Sequence, residues 1–386
     1  MTGAVTSSVE LLRDQMRDQV RDRIRDAAPG ARALRISGRG TWLDAGRPVI
    51  ATDDLSVREV SGIVEYVPGD LTLTARAGTT LAEIADATAA HGQWLALDPH
   101  GGDAGTLGAT VATASSGPLA TAFGTPRDLV LGVEFITGTG VVARGGGRVV
   151  KNVAGFDLTR LLTGSWGSLG VITEVSVRLH ARPAVDASFA VPLASDSGAV
   201  EGVWRLLRRV AFTPLACEVV NGALARALVD DGTPCALVRL GGNRQAVAAQ
   251  RAALAELGSV REIDASVWSR LRAIEPADAI VFRLSTPASR IHGAWEAAAA
   301  LDAHGAMIHA TPARGVVRCI VPRTDAGAAA VHQLLSTAGV TRLGERLPPD
   351  AWGVLPRPGT DALARGIKRE LDPRGVLNPG IFGEVE

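Results

Sequence analysis

Two short stretches carry residue types that could hold an anion by main chain alone. Ile36-Ser37-Gly38-Arg39-Gly40-Thr41 follows the apolar segment ALRI, and Asp98-Pro99-His100-Gly101-Gly102 runs into GTLGATVATASSG at 105–117. Glycine has no Cβ, so consecutive amides can converge on one ligand atom, and the hydroxyls of Ser37, Thr41 and Thr106 add donors beside them. The chemistry that suits such loops is the gripping of a pyrophosphate. Each loop taken alone also reads as an ordinary turn after a strand.

Other chemistries find less support. No G-x-G-x-x-G occurs in a strand–turn–helix context, and no G-x-x-x-x-G-K-[ST] is present. His304 and His309 are a close pair in HGAMIH without a nearby acid, so no metal site is expected. Gly145-Gly146-Gly147 leads into RVVKNVAG and reads as a mobile loop. Cys217, Cys235 and Cys319 are too scattered for a disulfide framework, a zinc site or an iron–sulfur cluster.

The elements that must position these residues follow from periodicity. VELLRDQMRDQVRDRIRDAAPG places Leu12, Met16, Val20 and Ile24 on one helical stripe, with Asp-to-Arg pairs three residues apart along the charged flank. A helix laid by its stripe on the protein's own domain is the favoured reading, with a coiled-coil or partner-docking arm as the alternative. From residue 31 short strands alternate with turns: ARALRIS, VREVSGIVEYV and LTLTARAG, then a helix over TTLAEIADATAAHG, a hairpin around Gly138-Thr139-Gly140, and the β-branched strand LGVITEVSVRLH. Residues 184–340 mix strands (SFAVPL, CALVRLGG, AIVFRLS, GVVRCIVP) with alanine-rich helices, which predicts a second α+β domain with an antiparallel sheet. Four segments are expected: a charged helix (1–30), a strand-rich domain (31–183), the second domain (184–340) and a C-terminal segment (341–386).

Composition bounds the function. Forty basic residues balance forty acidic ones, which removes any global electrostatic reason to bind nucleic acid or an anionic membrane. No apolar run approaches the roughly 18 residues of a spanning helix, and the N-terminus lacks a signal-peptide pattern. A cytoplasmic protein with reduced thiols is expected, and 46% hydrophobic residues suit a globular enzyme.

The order of motifs resembles the FAD-binding domain of the vanillyl-alcohol-oxidase (PCMH-type) superfamily. The resemblance rests on GTLGATVAT (105–113), FGTPRDLVLGVEFITGTG (123–140), KNVAGFDLTRLLTGSWGSLGVITEVSVRL (151–179) and LDPRGVLNPG (371–380). In finer detail, KNVAGFDLTRLLTGSWGSLGVITE is similar to the FAD-binding E subunits of bacterial glycolate oxidases. The resemblance implies an α+β fold: a PCMH-type (VAO-like) FAD-binding domain, a smaller α+β cap, and a C-terminal segment that returns to the flavin domain.

By the same resemblance, Ser37, Gly38, Arg39, Gly40 and Thr41 would wrap the FAD diphosphate. Thr106, Leu107 and Gly108 would contact its other side and the ribityl chain, with Pro99 nearby and Gly117 beside the cofactor. The main chain of Gly170, Val171 and Ile172 would pair with adenine, and Asn378 would return near the flavin ring. Lys151, Asn152 and Asp157 are either loop anchors or neighbours of the flavin edge. The histidine that holds a covalent flavin in some relatives has no match in SGRGTW, so non-covalent FAD is implied.

Relatives that oxidise 2-hydroxy acids carry a cap motif like H-x-G-D-G-N-x-H; HGAMIHATPARG lacks its Asp and Asn. The expected function is therefore the FAD-binding subunit of a glycolate (2-hydroxy-acid) oxidising complex. A sister catalytic flavoprotein would act on the small 2-hydroxy acid, and an iron–sulfur subunit would pass electrons to a membrane acceptor. Membrane contact would be indirect, through those partners at the inner face. Two alternatives remain open at this point. One is a self-sufficient FAD-dependent D-2-hydroxy-acid dehydrogenase using Arg283, Arg314, Arg318 or Arg323 for the substrate carboxylate. The other is a scaffold that has lost FAD.

Overall fold

Period-two alternation of apolar and polar residues builds the first sheet, and both of its faces are used. The computed structural model describes residues 2–27, 32–147, 156–194, 198–336, 340–357 and 361–383, with side chains from Asp14 onward. β1 (Leu34–Ser37) pairs in parallel with β2 (Asp53–Ser56). Then come β3 (Ile63–Val67), β4 (Thr72–Arg76), the short β5 (Gln93–Trp94), β6 (Val130–Ile136), β7 (Val142–Gly146), β8 (Val171–Arg178) and β9 (His180–Ala181). Among the described residues, five of these form an antiparallel sheet in the order β3-β4-β8-β6-β7, while β5 pairs with β9.

On one face, Leu73, Ala75, Val133, Phe135, Val175 and Val177 bury against two helices. The residue range Thr2–Asp26 forms α1, Leu81–Ala89 forms α2 and Leu107–Thr113 forms α3; the last two cover this face with Leu81, Ile84, Leu107 and Val111. Thr80 and Glu83 start α2 with a reciprocal capping box, each side chain bound to the other's backbone N–H. The Thr80 hydroxyl and then its N–H hold the Glu83 carboxyl below the usual range, with the Arg39 charge adding to the effect.

The other face is polar, and α1 meets it. Buried Glu134 accepts from Arg144 Nε at 2.9 Å and from the Thr173 hydroxyl at 2.9 Å. Asp14 of α1 lies 3.4 Å from Arg76, and Arg17 lies 4.0 Å from Glu134. One turn on, Val20 and Ile24 bury with Leu34, Ile136 and Val171. The i, i+4 stripe thus docks on its own unit, as the favoured reading of the charged helix has it. Val376 and Leu377 complete this cluster, and Leu377 bridges Leu34, so the C-terminal segment lies beside β1.

The chain divides into two compact units. The first holds the described residues of Met1–Ser116, Gly124–Arg182 and Arg357–Glu386; the second holds those of Gly117–Phe123 and Pro183–Pro356. In the second unit β10 (Val185–Pro192), β11 (Ala216–Val220), β12 (Cys235–Gly242), β13 (Arg261–Ile263), β14 (Ile280–Ser285), β15 (Met307–Thr311), β16 (Val316–Val321) and β17 (Thr341–Arg346) form one sheet. Its order is β13-β10-β12-β11-β15-β16-β14-β17 and the pairings are antiparallel. Burial pushes all three cysteine thiols up, Cys235 to about 12, so they are packing groups, not nucleophiles.

Some boundaries differ from the sequence reading. Residues 341–356 stay with the second unit because β17 pairs with β14, so its far edge falls at 356 instead of 340. Residues 117–123 also join it, with helix Ala120–Phe123 against β11. Residues 57–60 of VREV form a turn, not a strand, which places β2 and β3 apart. Gly145 and Gly146 are not a mobile loop: both lie in β7, where a Cβ on Gly145 would stand 2.4 Å from Leu158 Cβ.

Candidate functional site

Three backbone walls of the first unit enclose one groove. The first wall is the end of β1 and the loop after it, contributing Ser37, Gly38, Gly40 and Thr41. Gly40 has φ +84°, a left-handed conformation that glycine adopts without a Cβ penalty. The second is α3, presenting Gly108, Ala109, Ala112 and Thr113. The third is the turn entering β8, with Gly170, Val171 and Ile172. Asn378 joins them from the C-terminal segment. The space is about 740 Å³ when the solvent at its open mouth is counted in.

The first two walls meet closely. A Cβ on Gly38 would lie 2.4 Å from Thr106 Oγ1, and Thr106 N-caps α3 through a 3.3 Å bond from the Ala109 N–H. Glycine is therefore required where the walls converge. Arg35 is the one charged side chain among the described lining residues, and no carboxylate faces the space. The Arg35 guanidinium donates to the Leu43 carbonyl, so one positive charge accompanies the glycine backbone and the hydroxyls of Ser37 and Thr41, which suits a diphosphate flanked by flat, uncharged rings.

The other expected site residues lie elsewhere. Leu107 is fully buried in the core beneath α3, while its N–H is spent on the Thr79 carbonyl at 2.8 Å. Arg39 is exposed, and Pro99 is buried outside the groove lining. Gly117 falls in the segment that groups with the second unit and does not line the groove. Thr106 acts through Gly38 and the α3 cap, not from the lining itself. Asp157 is an anchor: its carboxylate takes the Thr159 hydroxyl at 2.6 Å and the Arg160 N–H at 3.1 Å, bonds that hold its carboxyl low. Lys151 and Asn152 lie outside the described residues.

The structure adds a wall that motif reasoning passes over. Trp42 and Trp166 line the groove with Leu43 and Ile381, their rings edge-to-face at 5.9 Å and 89°. Trp166 has φ +52°, unusual for a bulky residue. Its place between Gly164 and Gly167 in TGSWGS was the available signal, since glycines on both sides mark a turn and not a core helix or strand.

In the second unit the cations proposed for a substrate carboxylate are engaged. Buried Arg318 is closed by Glu275 at 2.6 Å and by Glu345 at 2.5 Å. Arg283 pairs with Glu345 at 2.6 Å, and Arg323 donates to the Asp278 carbonyl at 2.9 Å; Arg314 also has a partner. Burial alone would raise the Glu345 carboxyl, yet Arg318 and Arg283 pull it down to about 2. His309 is buried against Glu218, Nδ1 to carboxylate 2.8 Å, and among the described residues no group of three acids, histidines or cysteines could hold a metal.

Comparison with known proteins bears on this geometry. Residues 14–146 match the model of the FAD binding domain. The chain is 32% identical over 358 residues to glycolate oxidase subunit GlcE of Escherichia coli (strain K12), covering 91% of this chain and 93% of that protein. The chain belongs to the GlcE family. Glycolate oxidase subunit GlcD of Bacillus subtilis (strain 168) is a more distant relative, 34% identical over 129 residues, 33% of this chain and 27% of that one. Among solved structures, p-cresol methylhydroxylase with substrate bound superposes with TM-score 0.68 at 15% identity, covering 91% of this chain and 84% of the other. The fold is thus of the PCMH type, in a family of FAD-dependent oxidoreductases, and FAD is the cofactor of this GlcE-family chain.

Proposed function

We propose that this chain is the FAD-binding subunit of a complex that oxidises glycolate or a similarly small 2-hydroxy acid, with FAD lying in the glycine-walled groove of the first unit. The observation that carries the reading is that groove: backbone on three sides and, among the described lining residues, Arg35 as the single charge and no acid. FAD supplies two-electron acceptance with release of single electrons.

The residues have separable tasks. The amides of Ser37, Gly38, Gly40 and Thr41 and the hydroxyls of Ser37 and Thr41 bind the diphosphate, while the Thr113 hydroxyl donates to the Ala109 carbonyl at 2.8 Å within α3. Gly170–Ile172 present main chain to the adenine edge. The groove's described lining contains no histidine, which supports non-covalent binding.

Hydride abstraction from the substrate belongs to a sister flavoprotein of the GlcD kind, and onward transfer to an iron–sulfur subunit. The engagement of Arg283, Arg314, Arg318 and Arg323 with other groups favours this division of labour over a self-sufficient dehydrogenase. The persistence of the groove argues against a scaffold that has lost FAD.

The test is anaerobic spectroscopy of the purified chain. It is expected to carry a flavin spectrum that glycolate bleaches only after the sister flavoprotein is added. Bleaching by glycolate in the isolated chain would replace this reading with the self-sufficient one, and a colourless chain that takes up no FAD would end it.

A further inference from the structure

We infer that Asn378 is a positioning residue for the groove: its carboxamide fastens two of the backbone walls to each other, and FAD affinity depends on that fastening. Asn378 Oδ1 accepts the Ile36 N–H at 2.7 Å, and Nδ2 donates to the Trp166 carbonyl at 2.6 Å. Ile36 is the residue before the Ser37–Thr41 loop; Trp166 opens the turn that leads to Gly170. One side chain thus bridges the two walls. The inference rests on the reading of this groove as the FAD site.

The chemistry of the residue is specific. Only a side chain with a donor and an acceptor on one short stem can bind an N–H on one wall and a C=O on the other. Aspartate would keep the first bond and set a carboxylate against the Trp166 carbonyl. Asn378 is buried, has φ +42°, and donates its own N–H to the Leu34 carbonyl at 2.9 Å, so its backbone is fixed to β1 before the side chain acts. Lys368 holds the same segment to the same turn, with Nζ 2.7 Å from the Ser168 carbonyl and 3.1 Å from that of Leu377. Gly167 leaves room for the clasp: a Cβ there would lie 3.0 Å from Asn378 Nδ2. Trp166, whose φ is +52° and whose carbonyl takes this bond, has its ring on the groove wall against Trp42.

The experiment titrates FAD into the apo full-length chain and its Asn378→Asp, Asn378→Ala and Ile24→Ala variants, reading tryptophan emission and the urea midpoint of each apo form. Ile24 is in the same apolar cluster as Leu377 but outside the groove lining, so its truncation reports general destabilisation. Loss of one or two buried hydrogen bonds from a pre-organised site is expected to weaken FAD binding by about tenfold or more in both Asn378 variants. Their apo emission also shifts as Trp166 relaxes. Ile24→Ala lowers the urea midpoint and leaves the dissociation constant within about twofold. Wild-type affinity in Asn378→Asp, or equal weakening in Ile24→Ala, overturns the inference. If the wild-type chain binds no FAD, the function reading fails by itself; an unchanged apo emission spectrum in Asn378→Asp then still refutes the clasp.

Discussion

Gly38 and Thr106 close one side of the cofactor groove against each other: a Cβ on Gly38 would stand 2.4 Å from Thr106 Oγ1 and 3.3 Å from its Cγ2. Thr106 cannot yield easily, because it is fully buried and its hydroxyl caps α3. Gly38→Ala therefore pushes the loop away from α3, at a cost of about 1–3 kcal/mol in the geometry that FAD requires. The expected result is at least tenfold weaker FAD binding, measured by tryptophan quenching on the apo chain. Thr106→Ser keeps the cap and removes only the 3.3 Å contact, so it should leave affinity near wild type without rescuing Gly38→Ala, whereas Thr106→Ala gives up the cap but removes the 2.4 Å contact and should partly rescue it.

Gly108 follows a different logic. The sequence reading gave it to close approach by the cofactor. Its backbone does line the groove, but its missing side chain points the other way: a Cβ would lie 2.6 Å from Ala77 Cβ and 3.0 Å from the Ala77 oxygen that already accepts the Gly108 N–H. Gly108→Val is thus expected to lift α3 off the end of β4, costing the apo chain about 3 kcal/mol or less, with FAD loss as a consequence. Denaturation of Gly108→Ala alone and with Ala77→Gly checks this. Partial recovery in the double variant supports packing as the cause; a stable single variant that has lost only FAD would show that the ligand was the reason.

These two glycines show what was legible in the sequence. The loops could be found because glycine and hydroxyl residues after an apolar strand state that main chain is exposed. The direction of each absent Cβ could not, since it depends on partners far along the chain: Thr106 for Gly38, Ala77 for Gly108, Phe135 for Gly170. The docking stripe of α1 was legible from its i, i+4 spacing alone. Thr341–Arg346 was missed as a strand because TRLGER carries charge and one glycine, and only pairing with β14 makes it a strand. Trp166 was passed over because its conformation, not its type, brings it to the groove.

Acid stability should report the second unit's buried ion network. Burial raises the Glu345 carboxyl, but the Arg318 and Arg283 charges overcome it and hold it at about 2, well below the usual carboxylate range. A depressed carboxyl contributes stability in full above its unfolded value and loses it as pH falls through the folded one. Between about pH 4.5 and 2, Glu345 therefore steepens the loss of stability with acid. Glu345→Gln is expected to destabilise the chain at pH 7, because Arg318 keeps only Glu275 as a charged partner, and to flatten the slope in that window. Urea midpoints taken across the window decide it; parallel slopes for wild type and variant would assign the acid sensitivity to other groups.

Arg374 ties the two ends of the chain together through main-chain carbonyls. Its guanidinium donates to the oxygens of Ile24 at 2.6 Å, Arg25 at 2.9 Å and Ala27 at 2.9 Å, and to Gly138 at 2.7 Å. The last carbonyls of a helix have no intrahelical partner, so a planar cation that gathers three at the end of α1 both caps the helix and offsets its negative pole. Lysine has no fork to cover four acceptors at once. Arg374→Ala and Arg374→Lys are both expected to lower stability, the first by about 2–3 kcal/mol. Both should also speed tryptic cleavage within 13–25, where arginine recurs every four residues. Cleavage at the wild-type rate would mean that Val20 and Ile24 hold the helix by apolar contact alone, with the arginine contributing only to the turn at Gly138.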